Sequence, residues 1–172
     1  MEIIDNFLQQ DDFDTIASTI MSKGFPWYHQ DDVAYKDEVK EDMTFYSTHW
    51  LYKDDKPRFD TSLELIMPIL KRLGSMNDNY KLRTLVRVKL NSYPNQNKFI
   101  EHPWHEDFEP NTLPYKACLL SLNTCDGYTK FKDGTKIESV SNRAILFDPC
   151  ISHHSTNTTD QTRRVNININ YL

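Results

Sequence analysis

Residues 101–108 (EHPWHEDF) concentrate side chains that bind metal ions. His105 and Asp107 lie two positions apart, so a strand here would place both on one face and Glu106 on the other. One imidazole and one carboxylate are two parts of a 2-His-1-carboxylate site, which keeps coordination positions open and suits non-haem Fe(II). A second histidine from a distant strand would complete such a site.

His153 and His154 are the candidates for that second histidine. They lie 48 and 49 residues after His105, behind the apolar run 144–147 and a turn at 148–149. That distance corresponds to about four short strands, so a single barrel would bring either histidine back to His105. The spacing alone does not choose between them.

Two arginines, Arg163 and Arg164, follow at the start of the last predicted strand. A guanidinium group is planar and cationic, and it binds a carboxylate through two parallel hydrogen bonds. Such a group beside an open iron site is what a dicarboxylate co-substrate requires. An H-x-D motif, a histidine and an arginine in this order are far more specific together than separately.

The elements that would position these residues begin after residue 81, where short β-rich segments follow one another. Turn signals rich in Asp, Asn, Gly and Pro separate them, which indicates a sandwich or barrel. The predicted strands cover residues 83–92, 98–105, 115–123, 127–131, 135–140, 143–148 and 163–171.

The last of these strands alternates strictly between apolar and polar residues. One face carries Val165, Ile167, Ile169 and Tyr171, and the other carries Arg164, Asn166, Asn168 and Asn170. The polar face would either meet solvent or line a polar cavity, and the pattern fits both.

The first part of the chain has a helical texture. A strand-like opening over residues 1–8 precedes a helix that Asp11 or Asp12 would cap and that would run to Lys23, with Gly24 as its stop.

A β-rich segment at 43–53 precedes a second predicted helix at 61–73, which ends at Gly74. Pro68 inside this helix predicts either a kink or a later start.

Composition bounds the classes of protein that the chain can belong to. The 172 residues are 38% hydrophobic and 12% aromatic, which predicts one packed domain over 1–172. The net charge of −5 argues against a nucleic-acid partner. No apolar run approaches the roughly 18 residues that span a membrane, and the acidic N-terminus does not resemble a signal peptide.

These features predict an intracellular protein. Three cysteines without close pairing (Cys118, Cys125, Cys150) predict idle or buried thiols.

Several motifs together resemble the Fe(II)/2-oxoglutarate-dependent oxygenases, in particular the small prolyl-4-hydroxylase-like proteins of bacteria and phages. Tyr93-Pro94 precedes the H-x-D motif as in that family, and Gly127, Thr129 and Phe131 match its Gly-x-Thr-x-Phe strand end. Further matches are residues 142–148, which resemble the strand before the distal histidine, and residues 153–160 with 164–171, which resemble its distal-histidine-to-arginine segment.

The resemblance implies a mainly β protein with flanking α elements: a double-stranded β-helix (jelly-roll) with N-terminal helices. Residues 1–80 would form a helical flank and lid, and residues 81–172 the barrel core. It also implies a dioxygenase that hydroxylates a substrate and releases succinate and CO2, in the cytoplasm or in the host cytoplasm if phage-encoded. The family's halogenating members lack the carboxylate that Asp107 supplies, so its presence favours hydroxylation.

Carried over residue by residue, His105, Asp107 and His153 would hold Fe(II), with His154 as the alternative distal ligand. Arg164 would bind the distal carboxylate of 2-oxoglutarate, with Arg163 as the alternative. Tyr93 would donate a hydrogen bond to the co-substrate, and ascorbate would be a supporting reductant. Dioxygen and 2-oxoglutarate are the implied small-molecule partners, and the substrate, a protein side chain or a small molecule, stays open.

Other residues of chemical interest have simpler interpretations. We expect His102 to lie beside the ligands or at the surface, and Glu106 and Glu109 to lie in solvent or at the mouth of the site. Trp104 and Phe108 are expected to lie in the core. His29 and His49 are expected to have structural roles. The aromatic segment 24–35 is a candidate lid.

Two other functions also fit the residues. A cupin-like metal-binding protein would bind metal without 2-oxoglutarate and leave Arg164 structural. A non-catalytic jelly-roll interaction domain would carry its histidines incidentally.

Overall fold

The computed structural model describes residues 1–31, 33, 44–58, 63–109 and 113–172. None of the helices in these ranges is long and apolar enough to cross a membrane. In chain order the elements are β1 (Glu2–Ile4), α1 (Gln10–Ile20), β2 (Tyr28–Gln30), β3 (Tyr46–Lys53), β4 (Lys56–Pro57), a 3₁₀ helix (Leu63–Ile66), α2 (Met67–Gly74), β5 (Leu85–Pro94), β6 (Lys116–Ser121), β7 (Tyr128–Phe131), β8 (Lys136–Glu138), β9 (Ala144–Phe147), β10 (His153–Ser155) and β11 (Arg163–Tyr171).

The strands form two antiparallel sheets. In the large sheet the order is β1-β9-β6-β11-β5-β3-β2, with β4 paired to β3, and in the small sheet the order is β10-β7-β8. The last strand, β11, therefore lies between β5 and β6, far from its neighbours in sequence. The fold is mainly β, with the two sheets of a jelly-roll and few helices, as the sequence predicts.

The main apolar core lies between the helices and one face of the large sheet. The helical stripe of Phe13, Ile16 and Ile20 packs there with the apolar face of β11, whose Ile167 and Ile169 are fully buried. A smaller apolar cluster, which includes Phe131 and Phe147, lies between the two sheets. The rest of the space between the sheets is available to polar side chains.

The polar face of β11 lies inside the protein and not in solvent. Arg164, Asn166 and Asn170 are each no more than 1% exposed. Their hydrogen-bond partners are interior groups, for example Asn91, whose Nδ2 donates to Oδ1 of Asn166 at 3.0 Å. Of the two interpretations that alternation left open, exposure to solvent is therefore wrong, and the polar face lies in the interior.

Helix α1 differs from its prediction at both ends. It begins at Gln10, and Asp11 and Asp12 lie in its first turn and do not cap it. Carboxylates there still face the positive end of the helix dipole. The helix ends at Ile20, before the predicted Lys23. Met21 is its C-cap, and the N–H of Ser22 donates to Thr19, three residues back, at 3.3 Å instead of continuing the i−4 pattern.

Helix α2 starts later than the periodicity suggests. The 3₁₀ helix precedes it, and Pro68 occupies its first turn, where the missing N–H of proline costs no hydrogen bond. The later start, one of the two predicted outcomes, is the observed one. Residues 61 and 62 lie outside the described residues, as does residue 43 of the predicted strand 43–53.

Six of the seven strands predicted after residue 81 are present, and 98–105 is the exception. In that segment only Glu101 and His105 make isolated bridges, to Thr156 and His153. Pro103 has no N–H to donate to a ladder, which interrupts pairing between the two bridges. The partner strand β10 was not predicted, because three residues are too short a run for a periodic pattern.

Candidate metal centre

Three side chains that bind metal ions converge between the large and the small sheet. One ligand atom each of His105, Asp107 and His153 lies within 4.8 Å of the other two. In the part of the chain that the structure describes, this is the one group of three or more such side chains. The fold thus brings the H-x-D motif to one of the two candidate distal histidines.

A pair of backbone hydrogen bonds fixes the two histidines relative to each other. The N–H of His105 donates to the carbonyl of His153, and the N–H of His153 donates to the carbonyl of His105, each at 2.9 Å. The centroids of the two rings are 4.6 Å apart. The main chain therefore holds the two residues side by side, so that their imidazoles can approach each other.

Hydrogen bonds of the two rings also assign their tautomers. Nδ1 of His105 lies 3.3 Å from the carbonyl oxygen of Pro103, and Nδ1 of His153 lies 2.8 Å from that of Ile151. Because a carbonyl oxygen only accepts, each Nδ1 carries a hydrogen, and in a neutral ring Nε2 is then the nitrogen with the free lone pair. A neutral imidazole in this state is the form that ligates a metal.

Burial keeps His105 in that neutral form. Desolvation, together with the neighbouring His153, lowers the pKa of His105 to about 4. The ring is therefore uncharged near pH 7, and no proton has to leave before a cation can bind.

Asp107 is held by three donors that sequence reasoning did not find. Arg87 Nη2 lies 2.8 Å from Oδ1, and the Nδ2 atoms of Asn168 and Asn170 donate to Oδ2 at 3.0 and 3.1 Å. Burial alone would raise the pKa of Asp107, but the charge of Arg87 and these hydrogen bonds hold it below its usual value. The carboxylate is thus ionised and oriented.

A signal for these three residues was present in the chain. On β5, Arg87, Lys89 and Asn91 occupy alternate positions, with the apolar Val88 and Leu90 between them, in the same pattern as the polar face of β11. Two adjacent strands with polar inner faces predict a polar interior. The ion pair with Asp107 does not follow from that pattern.

His154 lies away from this group. Side chains alternate along β10, so His154 points to the side of the strand opposite His153. The centroids of the His154 and Trp104 rings are 4.3 Å apart in an edge-on arrangement, and burial lowers the pKa of His154. The geometry therefore favours His153 as the proposed distal ligand.

Arg164 is buried beside the small sheet. Nη1 donates to the carbonyl oxygens of Tyr128 at 2.8 Å and Thr156 at 3.1 Å, and Nη2 donates to Thr129 Oγ1 at 2.9 Å. Gly127 leaves room for its side chain, since a Cβ there would come within 2.7 Å of Arg164 Cδ. The guanidinium is thus fixed by the protein in one orientation.

Arg163, the alternative anchor, points the other way. Its Nη2 donates to the carbonyl of Met21 at 2.8 Å, and its guanidinium lies 5.7 Å from the ring centroid of Trp27. It therefore contacts the segment that follows α1 and not the space between the sheets.

Tyr93 lies next to Arg164. The guanidinium carbon of Arg164 is 5.9 Å from the Tyr93 ring centroid, and Tyr93 stacks on Tyr46 at 5.5 Å with an interplanar angle of 9°. Burial raises the pKa of the Tyr93 hydroxyl, which is hydrogen-bonded to Ser155. Tyr93 is thus a protonated hydroxyl in the interior that contains Arg164.

Solved structures with the same architecture were found across nearly the whole chain. A prolyl hydroxylase from Trichoplax adhaerens, in complex with a hypoxia-inducible-factor oxygen degradation domain peptide fragment, matches with a TM-score of 0.69 and 16% identity, over 99% of this chain and 82% of the other. A prolyl-4-hydroxylase from Pseudomonas putida matches with a TM-score of 0.59 and 15% identity, over 99% and 90%. The non-haem alpha-ketoglutarate-dependent epimerase SnoN from nogalamycin biosynthesis matches with a TM-score of 0.65 and 9% identity, over 99% of this chain and 77% of the other.

The chain has the fold of the Fe(II)/2-oxoglutarate-dependent oxygenases. No protein-family model and no curated protein sequence matches it. At these identities the likeness establishes the oxygenase fold, and the chemistry of the site has to be argued from the residues of this chain.

Within this oxygenase fold, the donor set fits Fe(II) and 2-oxoglutarate. Two imidazole nitrogens and one carboxylate oxygen are the ligands of a facial triad. Two buried nitrogens nearby, Nε of Arg164 and Nε2 of His102, have no hydrogen-bond partner among the described residues. Unpaired buried polar atoms of this kind are expected where a polar ligand binds.

The remaining sequence-based expectations have mixed outcomes. His102 is only 3% exposed, so it lies inside the protein and not at the surface. Trp104 and Phe108 are half-buried and lie outside the apolar clusters, so their placement in the core was wrong; they contact Lys132 and Arg87 through cation–π geometry, at 4.5 Å in each case.

Further outcomes concern exposure and thiols. Glu106, Glu109 and His29 are exposed, whereas His49 is buried with Nδ1 2.8 Å from the Pro26 carbonyl. The cysteines are all free, two of them buried.

The candidate lid, residues 24–35, is only partly described. Residues 32, 34 and 35 lie outside the described residues. Strand β2 pairs with β3 at the edge of the large sheet, and Val33 packs in a small buried cluster with Tyr46 and Tyr93. The segment thus reaches a residue of the candidate site, and its function as a lid remains a prediction.

Proposed function

We propose that the chain is an Fe(II)- and 2-oxoglutarate-dependent dioxygenase that hydroxylates an organic substrate. The observation that supports this best is the convergence of His105, Asp107 and His153 within 4.8 Å in an oxygenase fold. Arg164, buried in the same interior, supplies the cationic group that a dicarboxylate needs. All of residues 1–172 are assigned to one oxygenase domain, with its N-terminal part as flank and lid.

In this proposal the residues have distinct functions. His105, Asp107 and His153 hold Fe(II) on one face and leave the opposite face open. Arg164 binds the distal carboxylate of 2-oxoglutarate, and Tyr93 supplies a hydrogen bond to the same molecule. Arg87 keeps Asp107 ionised and in place.

When bound, Fe(II) and 2-oxoglutarate supply the oxidising chemistry: with dioxygen, 2-oxoglutarate becomes succinate and CO2, with one oxygen atom in succinate and the other in the new hydroxyl group. The protein contributes orientation and a water-poor interior. His102, His153 and Asn170 are buried, and His105 and Asp107 are half-buried, so the protein covers much of the space around the reacting groups.

We propose a protein side chain, such as a prolyl residue, as the substrate. The solved Trichoplax hydroxylase holds a peptide fragment, and its fold covers 99% of this chain. The acidic net charge of −5 does not favour a nucleic-acid substrate.

The test is turnover of 2-oxoglutarate by the purified chain. Fe(II), ascorbate and air are added, and succinate is followed by proton NMR, first without a substrate and then with proline-containing peptides. The proposal predicts succinate formation that requires Fe(II), that Asp107→Ala abolishes, and that a substrate peptide stimulates while gaining the mass of one oxygen atom. Metal binding without succinate would instead support a metal protein that does not use 2-oxoglutarate.

A further inference from the structure

His102 is a buried histidine that the proposed ligand set does not use. Its backbone N–H donates to the carbonyl of Ser155 at 2.9 Å, and its Nδ1 lies 2.8 Å from Ser155 Oγ. The ring centroid is 5.0 Å from that of Tyr93. Both the main chain and the side chain of His102 are therefore fixed.

The other ring nitrogen is unsatisfied. Nε2 of His102 has no hydrogen-bond partner among the residues that the structure describes, and His102 as a whole is 3% exposed. A buried polar nitrogen is seldom left unpaired, because it has lost its contacts with water. A ligand that enters this interior would supply the missing partner.

Arg164 has an unpaired nitrogen in the same interior. Its Nε lacks a partner among the described residues, whereas Nη1 and Nη2 are held by Tyr128, Thr156 and Thr129. Tyr93 contacts both residues: His102 at 5.0 Å and the Arg164 guanidinium at 5.9 Å. Two unpaired nitrogens thus flank one tyrosine.

Ser155 is the hydrogen-bond partner that bears on the tautomer of His102. Burial, with the nearby charge of Arg164, lowers the pKa of His102 to about 3, so the ring is neutral and has one donor and one acceptor nitrogen. The Ser155 hydroxyl lies between the Tyr93 hydroxyl and Nδ1 of His102. In the proposal below, Ser155 donates its hydrogen to Nδ1. This leaves the hydrogen of His102 on Nε2 and leaves the hydrogen of Tyr93 for the co-substrate.

We propose that His102 is a binding residue for 2-oxoglutarate: its Nε2–H and the Nε–H of Arg164 donate together to the distal carboxylate, and Ser155 is a positioning residue that fixes the tautomer. An arginine Nε–H is always a donor, so a ligand that pairs both nitrogens must be an acceptor. A carboxylate oxygen meets that requirement. The inference rests on the proposed function, since it concerns the same co-substrate.

The test compares two variants with two ligands. In His102→Gln the amide nitrogen reaches the place of Nε2, whereas in His102→Asn it reaches only the place of Nδ1. Binding of 2-oxoglutarate and of 2-oxovalerate, which lacks the distal carboxylate, is measured without oxygen on the Fe(II)-loaded protein, from tryptophan fluorescence.

The expected result is selective. His102→Asn should weaken 2-oxoglutarate binding about 10-fold or more, the loss of one hydrogen bond to a charged group, and should change 2-oxovalerate binding less than about twofold. His102→Gln should recover most of the affinity. Ser155→Ala, which leaves His102 in place but frees its tautomer, should show a smaller loss with the same selectivity.

Other outcomes overturn the inference in distinguishable ways. Equal losses for both ligands would assign His102 a structural role, and unchanged affinity in His102→Asn would mean that Nε2 does not reach the carboxylate. If the unmodified chain binds Fe(II) but not 2-oxoglutarate, the proposed function itself fails. If His102→Asn does not fold, the Ser155→Ala result decides: a loss specific to 2-oxoglutarate supports the inference, and no such loss rejects it.

Discussion

Arg87 Nη2 lies 2.8 Å from Asp107 Oδ1, so a cation of the large sheet is paired with the carboxylate of the H-x-D motif. The Arg87 guanidinium also lies 4.5 Å from the ring centroid of Phe108, and its Nε donates to Asn170 Oδ1 at 2.5 Å. A charge-assisted contact of this kind limits the orientations of the carboxylate before any metal binds.

We therefore predict that Arg87→Met weakens metal binding. Loss of the guanidinium removes an orienting contact and raises the pKa of Asp107, so the dissociation constant for Co(II) or Mn(II) should rise about 10- to 100-fold, as for other groups that orient metal ligands. The loss should grow as the pH is lowered. Absorption of Co(II) or electron paramagnetic resonance of Mn(II) measures it.

Arg83→Met is the matched control, because the side chain of Arg83 makes an exposed ion pair with Asp78 at 3.3 Å and lies outside the candidate site. Equal metal affinities in the two variants would mean that Arg87 does not orient the carboxylate.

Alanine substitution of the two neighbouring histidines of β10 should have opposite effects on metal binding. His153→Ala should abolish binding of one equivalent of Co(II), since it removes one of three ligands. His154→Ala should leave the affinity within about threefold, because the side chain packs against Trp104 on the other side of the strand. Calorimetric titration with Co(II) distinguishes the two, and the reverse order would assign the ligand to His154.

The two adjacent arginines can be separated in the same manner. Arg164→Met should raise the dissociation constant for 2-oxoglutarate about 100-fold, because a buried guanidinium that pairs a carboxylate is lost. Arg163→Met should leave that constant nearly unchanged, since its guanidinium contacts Met21 and Trp27. Similar losses in both variants would indicate a general change in stability, which a thermal unfolding curve reports.

Stability should fall at acidic pH because of the buried histidines. The ordinary pKa of 6.5 falls to about 3 for His102 and to about 4 for His105. Between pH 6.5 and the lowered pKa of each histidine, the unfolded chain binds a proton that the folded chain does not. The free energy of unfolding therefore decreases as the pH falls below 6.5, with a slope that approaches about 1.4 kcal/mol per pH unit for each histidine.

Urea unfolding of the metal-free protein at several pH values between 7 and 5 measures this slope. In His102→Gln one titrating group is gone, so at the acidic end of this range the slope should be smaller by about 1.4 kcal/mol per pH unit. An unchanged slope in the variant would contradict the neutral, buried state of His102.

The sequence pattern was sufficient to predict which residues share each face of β11, but not to predict what each face contacts. Strict alternation separated Val165 and Ile167 from Arg164 and Asn166. Whether the polar face meets water depends on which strands cross over it, and contacts such as the Asn91–Asn166 hydrogen bond join residues 75 positions apart. Local periodicity holds no information about such pairs.

For the H-x-D motif, too, local sequence pattern did not predict the contacts that position the residues. His105 and Asp107 do lie together, but not because they alternate on a strand. The Asp107 N–H donates to the Pro149 carbonyl at 2.9 Å, and His105 pairs with His153, so the distal segment holds the motif in place. The residue types were therefore informative, whereas the local structure assumed for them was wrong.

The N-terminal part was less predictable. The spacing of apolar residues located α1 and its buried stripe. The ends of the helix depend on backbone hydrogen bonds that form with many different side chains, so the sequence did not define them. The function of residues such as Ser155 was not visible either, because its contact with His102 spans 53 positions.

Anaerobic addition of Fe(II) and 2-oxoglutarate to the purified chain tests the central claim most directly. The site predicts a weak visible charge-transfer band that appears only when both are present and that is absent in Asp107→Ala. Fe(II) binding without a band would contradict the use of 2-oxoglutarate and indicate a metal protein of another kind. No Fe(II) binding at all would show that His105, Asp107 and His153 do not form a metal centre.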